Sequence, residues 1–261
     1  DEETGEIINQ PKKYEYFFKN NQKILEVACG DNHIATVVIN KSENGEAGDV
    51  YTWGLSLFGR LGYLEGDEDN NNKKNQTKKT YEYKLTPHLV RIPEQISRIA
   101  CGFDFTAAIS VTGKLYTWGT NTNNYLGIDS SYLNSPFVTT PMLVRTLSQK
   151  EIIQVVCGSK HMMCLTSEGL VYSWGSGENG VLGHGSMSSY DKPEVIKELK
   201  MSYEIVFIAA GMFSSAAISS TGQLFTWGRG KYGVLGIGSE ESVCIPTLVS
   251  NDKIKNEQIF Y

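Results

Sequence analysis

The sequence lacks the features that mark membrane, nucleic-acid and metal-binding proteins. No run approaches the roughly 18 consecutive apolar residues of a membrane-spanning helix, so we expect no membrane span. A formal net charge of −5 disfavours direct nucleic-acid binding, because binding to phosphates needs a basic surface. The five cysteines contain no C-x-x-C pair and the four histidines show no metal-site spacing. We therefore expect no metal, no cofactor, and reduced thiols in an intracellular protein, cytoplasmic or nuclear.

Proline is scarce, with 7 residues, whereas glycine is abundant, with 26, which indicates many tight turns. Two glycine clusters, WGSGENGVLG at 174–183 and WGRGKYGVLG at 227–236, match the G-x-G-x-x-G of a dinucleotide-binding turn. That fingerprint requires a helix directly after the glycines. Here the following residues are rich in Gly and Ser and soon reach a proline. The glycines are therefore predicted to form loops and not a nucleotide site.

A repeat of just over 50 residues accounts for the glycines. Every tryptophan is followed by Gly, and a Leu-Gly pair begins eight residues after each tryptophan. Each unit then reaches a proline, and these prolines are 54, 52 and 53 residues apart. The repeated residues, which we expect to be structural, are Trp53, Trp118, Trp174 and Trp227, the glycines after them (Gly54, Gly119, Gly175 and Gly228), the glycines of the Leu-Gly pairs (Gly62, Gly127, Gly183 and Gly236), and Pro87, Pro141, Pro193 and Pro246.

Each unit is predicted to form four short antiparallel strands. An apolar run such as IIQVVCG ends at a glycine, and a Gly-containing turn joins the next two strands. In VYSWG the two rings alternate with a small hydroxyl residue, which places both rings on one face of a strand. A fourth strand is expected to begin near the proline. This pattern is typical of a β-propeller. We therefore predict an all-β, single-domain propeller or propeller fragment over residues 1–261, with four full blades.

The whole motif resembles the regulator of chromosome condensation repeat. CGSKHMMCLTSEGLVYSWGSGENGVLGHG is similar to that family's order of Ala/Cys-Gly, His, strand, Gly, Tyr-x-Trp-Gly and Leu-Gly, and all four units carry it. The resemblance implies a propeller that usually closes with seven blades. This chain is then expected to be part of a larger propeller, the alternative being an unusually short one. Exposed blade faces are expected to be covered by chain ends or by another copy.

The resemblance also implies a function. Many proteins with these repeats are interaction platforms with a regulatory or scaffold role and no chemistry of their own, which is the leading hypothesis here. The alternative is guanine-nucleotide exchange on a Ran-type small GTPase. In the family's founding exchange factor, the loops between the repeat glycine and the histidine position face the GTPase. The matching loops here contain the candidate partner-binding residues Asp31, Asn32, Asp104, Lys160, Met212 and Phe213.

These candidates differ in chemistry. Asp31 and Asp104 fit the acidic character of the exchange factor's loops, whereas the Met212–Phe213 pair suits an apolar protein contact. Solvated loop tips without a partner are the other interpretation. Residues 65–84 form an insertion whose low hydrophobicity predicts disorder, and an arm that reaches a partner is its alternative.

No catalytic constellation stands out in the sequence. His33 and His161 occupy one repeat position, where a structural hydrogen-bonding role is expected. His88 and His184 are isolated and are expected in loops. The cysteines that precede the repeat glycine, Cys29, Cys101 and Cys157, are expected to be buried small residues.

Overall fold

The structure of the chain, a computed structural model, describes residues 16–17, 22–39, 47–63, 83–122, 124–128 and 135–250. In these ranges the strands follow one another in four groups of four, which we call blades 1 to 4. Blade 1 contains β1 (Lys23–Cys29), β2 (His33–Ile39), β3 (Gly48–Leu55) and β4 (Tyr83–Val90). Blade 2 contains β5 (Ile96–Cys101), β6 (Phe105–Ser110), β7 (Leu115–Thr120) and β8 (Phe137–Leu143). Blade 3 contains β9 (Ile152–Cys157), β10 (His161–Thr166), β11 (Val171–Gly175) and β12 (Tyr190–Val195), and blade 4 contains β13 (Ile205–Ala210), β14 (Ser214–Ser219), β15 (Leu224–Gly228) and β16 (Val243–Leu248).

Within each blade, every strand pairs antiparallel with the next one along the chain. One further bridge, between Gly48 and Ile96, joins blade 1 to blade 2. The first strands of consecutive blades contact one another, and all four line a common cleft of about 640 Å³. Such side-by-side stacking of four-stranded antiparallel sheets is the β-propeller architecture. The predicted fold class is confirmed.

The repeat prolines lie in the outer strands, three or four residues after each strand begins. Of the two places expected for them, a strand start or an edge strand, the structure has the edge strand. In blade 3 the pairing passes from Ser173–Glu194 directly to Gly175–Tyr190, so residues 191–193 bulge out of the ladder and Pro193 is the last of them. The other blades have the same irregularity at the same place. Proline has no N–H to donate, and a bulge in an edge strand requires none. The repeat therefore keeps proline at this position.

The glycine clusters lead into short 3₁₀ turns, at Leu57–Gly59, Glu178–Gly180 and Lys231–Gly233. These turns agree with the prediction that the glycines form loops and do not lead into the helix of a dinucleotide-binding fold. A helix that the sequence reading did not anticipate, α1 (Lys197–Ser202), connects blade 3 to blade 4 and buries Leu199. It is six residues long, too short for its apolar periodicity to be seen in the sequence.

The cores between the blades contain the largest side chains. Trp118, Trp174 and Trp227 have no exposed surface. Trp53 is half-buried, and its ring lies 6.4 Å from that of Phe17, which precedes β1.

Two sequence expectations about other residues were wrong. Cys29 is exposed, and Cys101 and Cys157 are only partly buried, because the ends of the first strands line the open cleft. His88 lies in β4 and stacks on Tyr63 at 5.3 Å between ring centres.

The insertion predicted at 65–84 lies outside the described residues except for Tyr83 and Lys84, which begin β4. Across the described ranges, no helix is long and apolar enough to span a membrane.

Candidate protein-interaction face

One end of the blades carries all the candidate residues, and we call it the loop face. It consists of the loops between the first and second strands of each blade and the glycine-rich loops after the third strands. Four equivalent backbone hydrogen bonds hold the two kinds of loop together. The N–H groups of Leu55, Thr120, Ser176 and Arg229 donate to the carbonyls of Asn32, Asp104, Lys160 and Phe213, at 2.8–2.9 Å. The candidate residues therefore lie on a rigid frame.

The glycine after each tryptophan makes this loop contact sterically feasible. Gly54, Gly119, Gly175 and Gly228 have φ between +102° and +113°. A Cβ at any of them would lie 2.4–2.7 Å from a carbonyl oxygen of the facing loop. Only glycine combines this φ with such a close approach of two backbones.

The Leu-Gly glycine belongs to a contact between neighbouring blades. A Cβ on Gly62, Gly127 or Gly183 would lie 2.7–2.9 Å from the indole nitrogen of the tryptophan in the next blade. In two cases that indole also donates a hydrogen bond across the same contact. Nε1 of Trp118 donates to the carbonyl of Arg60 at 3.0 Å, and Nε1 of Trp227 donates to that of Val181 at 2.8 Å.

The small hydroxyl residue before each tryptophan ties down the glycine-rich loop of its own blade. Each hydroxyl donates to the carbonyl of the leucine in the Leu-Gly pair. The four bonds are Thr52 to Leu61, Thr117 to Leu126, Ser173 to Leu182 and Thr226 to Leu235, at 2.6–2.9 Å. The repeat Trp-Gly…Leu-Gly is thus a loop clamp built from one hydroxyl, one indole and two glycines.

The two repeat histidines lie between blades. Nε2 of His33 is 2.9 Å from Oγ1 of Thr106, and Nε2 of His161 is 3.1 Å from Oγ of Ser215. Because both hydroxyls donate onward to backbone carbonyls, the imidazoles are assigned as the donors. Burial lowers the pKa of His33 to about 3, with the nearby Arg60 charge adding to the effect, and burial lowers the pKa of His161 to about 4. Both rings are neutral near pH 7 and are engaged inside the fold.

The blade 1–2 part of the loop face is charged. Asp31 and Asn32 are exposed and hydrogen-bonded to each other. Asp104 lies beside Arg60, with 2.6 Å between carboxylate oxygen and guanidinium nitrogen, and the Arg60 side chain is only 2% exposed. Burial raises the pKa of Asp104 and lowers that of Arg60, while each charge partly offsets the shift of the other. Asp104 is thus committed to an internal ion pair, whereas Asp31 is accessible.

The blade 4 part of the loop face is apolar and cationic. Met212 is 58% exposed and Tyr232 is 77% exposed. The guanidinium of Arg229 lies 5.6 Å from the ring centre of Phe213, and the ammonium of Lys231 lies 4.7 Å from that of Tyr232. These side chains, together with Ser214 and Val234, line a pocket of about 210 Å³.

Lys160, the candidate in blade 3, is exposed between the charged and the apolar parts of the loop face. The structure thus places all six candidate residues on one face but in separate patches. Sequence reasoning missed Arg60, Arg229 and Tyr232. Arg60 is the seventh residue after its repeat tryptophan, where the other units have Tyr125, Val181 and Val234. A charged residue at a position that is otherwise uncharged was the sequence signal for it.

Within the described ranges, no group of three or more His, Cys, Asp or Glu side chains is arranged to hold a metal ion. Fold and loop face together define a repeat propeller that presents side chains from clamped loops. The chain belongs to the regulator of chromosome condensation repeat family, because the family described as RCC1-like domain matches residues 2–260.

Two curated relatives and one solved structure illustrate the similarity. Human E3 ubiquitin-protein ligase HERC2 is 34% identical over 215 residues, covering 78% of this chain and 4% of HERC2. The mitochondrial RCC1 domain-containing protein RUG3 of Arabidopsis thaliana is 34% identical over 216 residues, covering 82% of this chain and 44% of RUG3. Prp20p of Saccharomyces cerevisiae, the yeast RCC1, superposes with a TM-score of 0.71 at 21% identity, over 91% of this chain and 52% of that chain. That structure was described with its binding properties to Gsp1p and histones, and at this identity it shows the fold alone.

The chain spans about half of the Prp20p chain and less of the two curated relatives. It is thus an RCC1-like repeat domain that matches only part of each of them.

Proposed function

We propose that this domain is a protein-interaction platform with a regulatory or scaffold role, acting through the loop face. The observation that carries the proposal is the blade 4 patch. Two exposed apolar side chains, Met212 and Tyr232, border a pocket that is flanked by two cations. Exposed aromatic and Met side chains beside Arg are typical of protein interfaces. A partner segment with an apolar side chain and nearby carboxylates complements this patch.

The test compares partner capture by three forms of the protein. Met212→Ser combined with Tyr232→Ser removes the patch, while the Arg229–Phe213 and Thr226–Leu235 hydrogen bonds that hold these loops keep both their partners. Met201→Ser is the matched control, because Met201 is 85% exposed but lies on α1 and does not line the pocket. We expect the double variant to lose partners that the wild type and the control both retain. Identical captured proteins for all three forms would contradict the proposal.

Guanine-nucleotide exchange on a Ran-type small GTPase is the second candidate. The match to the RCC1-like domain family and the exposed carboxylate of Asp31 favour it. The ion pair of Asp104 with Arg60 counts against it, because it leaves the Asp104 carboxylate less available. Exchange requires no covalent step, only stabilisation of the nucleotide-free GTPase. The assay follows release of a fluorescent guanine nucleotide from the GTPase, with yeast RCC1 as positive control. Acceleration that Asp31→Asn abolishes would support exchange, and unchanged release at micromolar protein would eliminate it for this chain.

We further propose an intracellular setting, and a single propeller domain or propeller fragment over residues 1–261. The five cysteines are all free, which suits a reducing compartment. Fractionation of cells that express the tagged protein tests the intracellular location. Limited proteolysis followed by mass determination tests the unit, since a second domain would give a separate stable fragment.

A further inference from the structure

Three seams join the four blades, and they are not equivalent. We use seam for the interface between two neighbouring blades. At three repeat positions the seams 1–2 and 3–4 are crossed by side-chain hydrogen bonds. At the same three positions, the described residues of seam 2–3 contain no such bond. The three positions lie on different strands of a blade. The absence of a side-chain hydrogen bond at all three therefore distinguishes seam 2–3 from the other two seams.

The first position is that of the repeat histidine. His33 contacts Thr106 across seam 1–2, and His161 contacts Ser215 across seam 3–4. In seam 2–3 the corresponding residues are Phe105 and Met162, which are buried in one apolar cluster. Their side chains pack but cannot form a comparable hydrogen bond.

The second position is the indole nitrogen. Trp118 and Trp227 donate across seams 1–2 and 3–4. Nε1 of Trp174, in seam 2–3, is buried without a hydrogen-bond partner among the described residues. Burying an unpaired donor is unfavourable, and opening this seam returns the donor to water.

The third position lies on the first strands. Glu26 accepts a hydrogen bond from the backbone N–H of Ile99 at 2.8 Å across seam 1–2. Across seam 3–4, the Gln154 amide both donates to and accepts from the backbone of Ile208, at 2.8 and 2.9 Å. The equivalent residue in blade 2 is Arg98, whose guanidinium has no acceptor atom and donates to the carbonyl of its own neighbour Ser97.

Blades 2 and 3 remain joined by apolar packing and by a backbone hydrogen bond from Ile152 to Gly113 at 2.9 Å. This bond lies at the turn end of the blades, opposite the loop face. Hydrogen bonds fix distance and direction, whereas apolar contacts are non-directional and packed elements can slide by small shear movements. Among the described residues, the seam therefore has a directional bond at its turn end and only apolar packing towards the loop face.

We propose that the domain moves as two rigid pairs of blades, 1–2 and 3–4, about a hinge at seam 2–3. The pivot is the Gly113–Ile152 contact, and the seam opens on the loop face between Asp104 and Lys160. This motion changes the distance between the charged patch of blades 1–2 and the apolar patch of blade 4. A partner that binds both patches at once favours the hinge angle at which the distance between the patches fits it.

The tryptophans supply the test, because each buried indole N–H reports one seam. Hydrogen exchange of the indole protons is measured by NMR on the whole chain. We expect the indole N–H of Trp174 to exchange roughly tenfold or more faster than those of Trp118 and Trp227, since exchange of a buried group requires opening. Equal or slower exchange at Trp174 would overturn the proposal.

Paired substitutions separate hinge motion from the missing hydrogen bond of Trp174 itself. Phe105→His with Met162→Thr copies the polar link of seam 1–2 into seam 2–3, and we expect it to slow exchange at Trp174 only. His33→Phe with Thr106→Met is the matched control, and it should accelerate exchange at Trp118. If the first double variant fails to fold, Arg98→Gln at the exposed cleft tests the same seam. Trp174 exchange that none of the folded seam 2–3 variants slows would also overturn the proposal.

Discussion

At the scale of single residues, the repeat glycines are required by what surrounds each of them, and this differs from one to the next. Gly183 and Gly238 both have φ close to +80°. A Cβ on Gly183 would meet the indole of Trp227 at 2.9 Å, whereas one on Gly238 would meet nothing within 4 Å. Comparing Ala substitutions at these two glycines separates two losses in the free energy of unfolding. One comes from the left-handed backbone, and the other comes from the clash with the indole.

We expect Gly238→Ala to lower the free energy of unfolding by about 1 kcal/mol, the cost of a left-handed residue with a Cβ. Gly183→Ala should lower it by about 3 kcal/mol, because the indole must also move. Urea denaturation of both variants measures the difference. Equal losses would show that the indole contact does not require the glycine.

The buried histidines predict how stability depends on pH. The pKa of His161 falls from an ordinary 6.5 to about 4 in the fold because of burial. The unfolded chain therefore takes up a proton at higher pH than the folded chain, so stability is lost as the pH falls from 6.5 towards 4. Between pH 7.5 and 5 this one residue should cost about 2 kcal/mol.

His161→Gln keeps a hydrogen-bond donor near Ser215 but removes the group that titrates. Comparing it with the wild type therefore isolates the contribution of His161 to the pH dependence of stability. The stability of the wild type relative to the variant should fall by about 2 kcal/mol between pH 7.5 and 5, measured by urea denaturation at both pH values. A difference that does not change with pH would mean that His161 is protonated without penalty in the fold.

At the scale of elements, the third strand of each blade and the loop after it act as one unit. Thr117 on β7 is buried and donates to the carbonyl of Leu126, 2.9 Å away. Thr117→Val should cost about 1–2 kcal/mol, because it leaves a buried carbonyl without its donor. Faster amide exchange over residues 121–127 is the accompanying signature.

Thr140→Val is the control for that prediction, since Thr140 is exposed on the outer strand β8. Its stability and loop exchange should match the wild type. If both variants behave alike, the hydroxyl bond does not hold the loop, and the loop face depends on the glycines and the indole alone.

At the scale of the whole molecule, blade 4 presents a surface that every earlier blade buries against its neighbour. Val181 in blade 3 is 3% exposed, whereas its counterpart Val234 in blade 4 is 61% exposed. The carbonyl of Val181 accepts both an indole and a hydroxyl from the next blade. The face that covers Val181 is the tryptophan face of the next blade, and a second copy presents such a face at blade 1, where Trp53 is only half-buried. We therefore expect self-association through blade 4.

Sedimentation velocity over a concentration series should therefore show association that Val234→Asp weakens. Val111→Asp is the matched control, because Val111 is 55% exposed but lies in a turn at the other end of the blades. A monomer at all concentrations, or equal effects of the two substitutions, would contradict association through blade 4.

Local signals in the sequence were sufficient to predict the blades. Trp-Gly, Leu-Gly and the turn glycines recur at near-regular spacing, and the alternation of side chains along a strand places both rings on one face. These signals predict the all-β propeller and its four units. The structural grouping of the candidate loops also followed, since equivalent positions of a repeat lie on one face.

The contacts between neighbouring blades, in contrast, could not be predicted from the repeat. Whether His33 has a hydroxyl partner depends on Thr106, which is 73 residues away. Whether the buried indole N–H of Trp174 has an acceptor depends on the geometry of a neighbouring loop, which the spacing of the repeat does not predict. The ion pair of Asp104 with Arg60 and the indole contacts of the tryptophans were missed for the same reason. They arise from contacts between segments distant in sequence, where the repeat fixes the position of a side chain but not its partner.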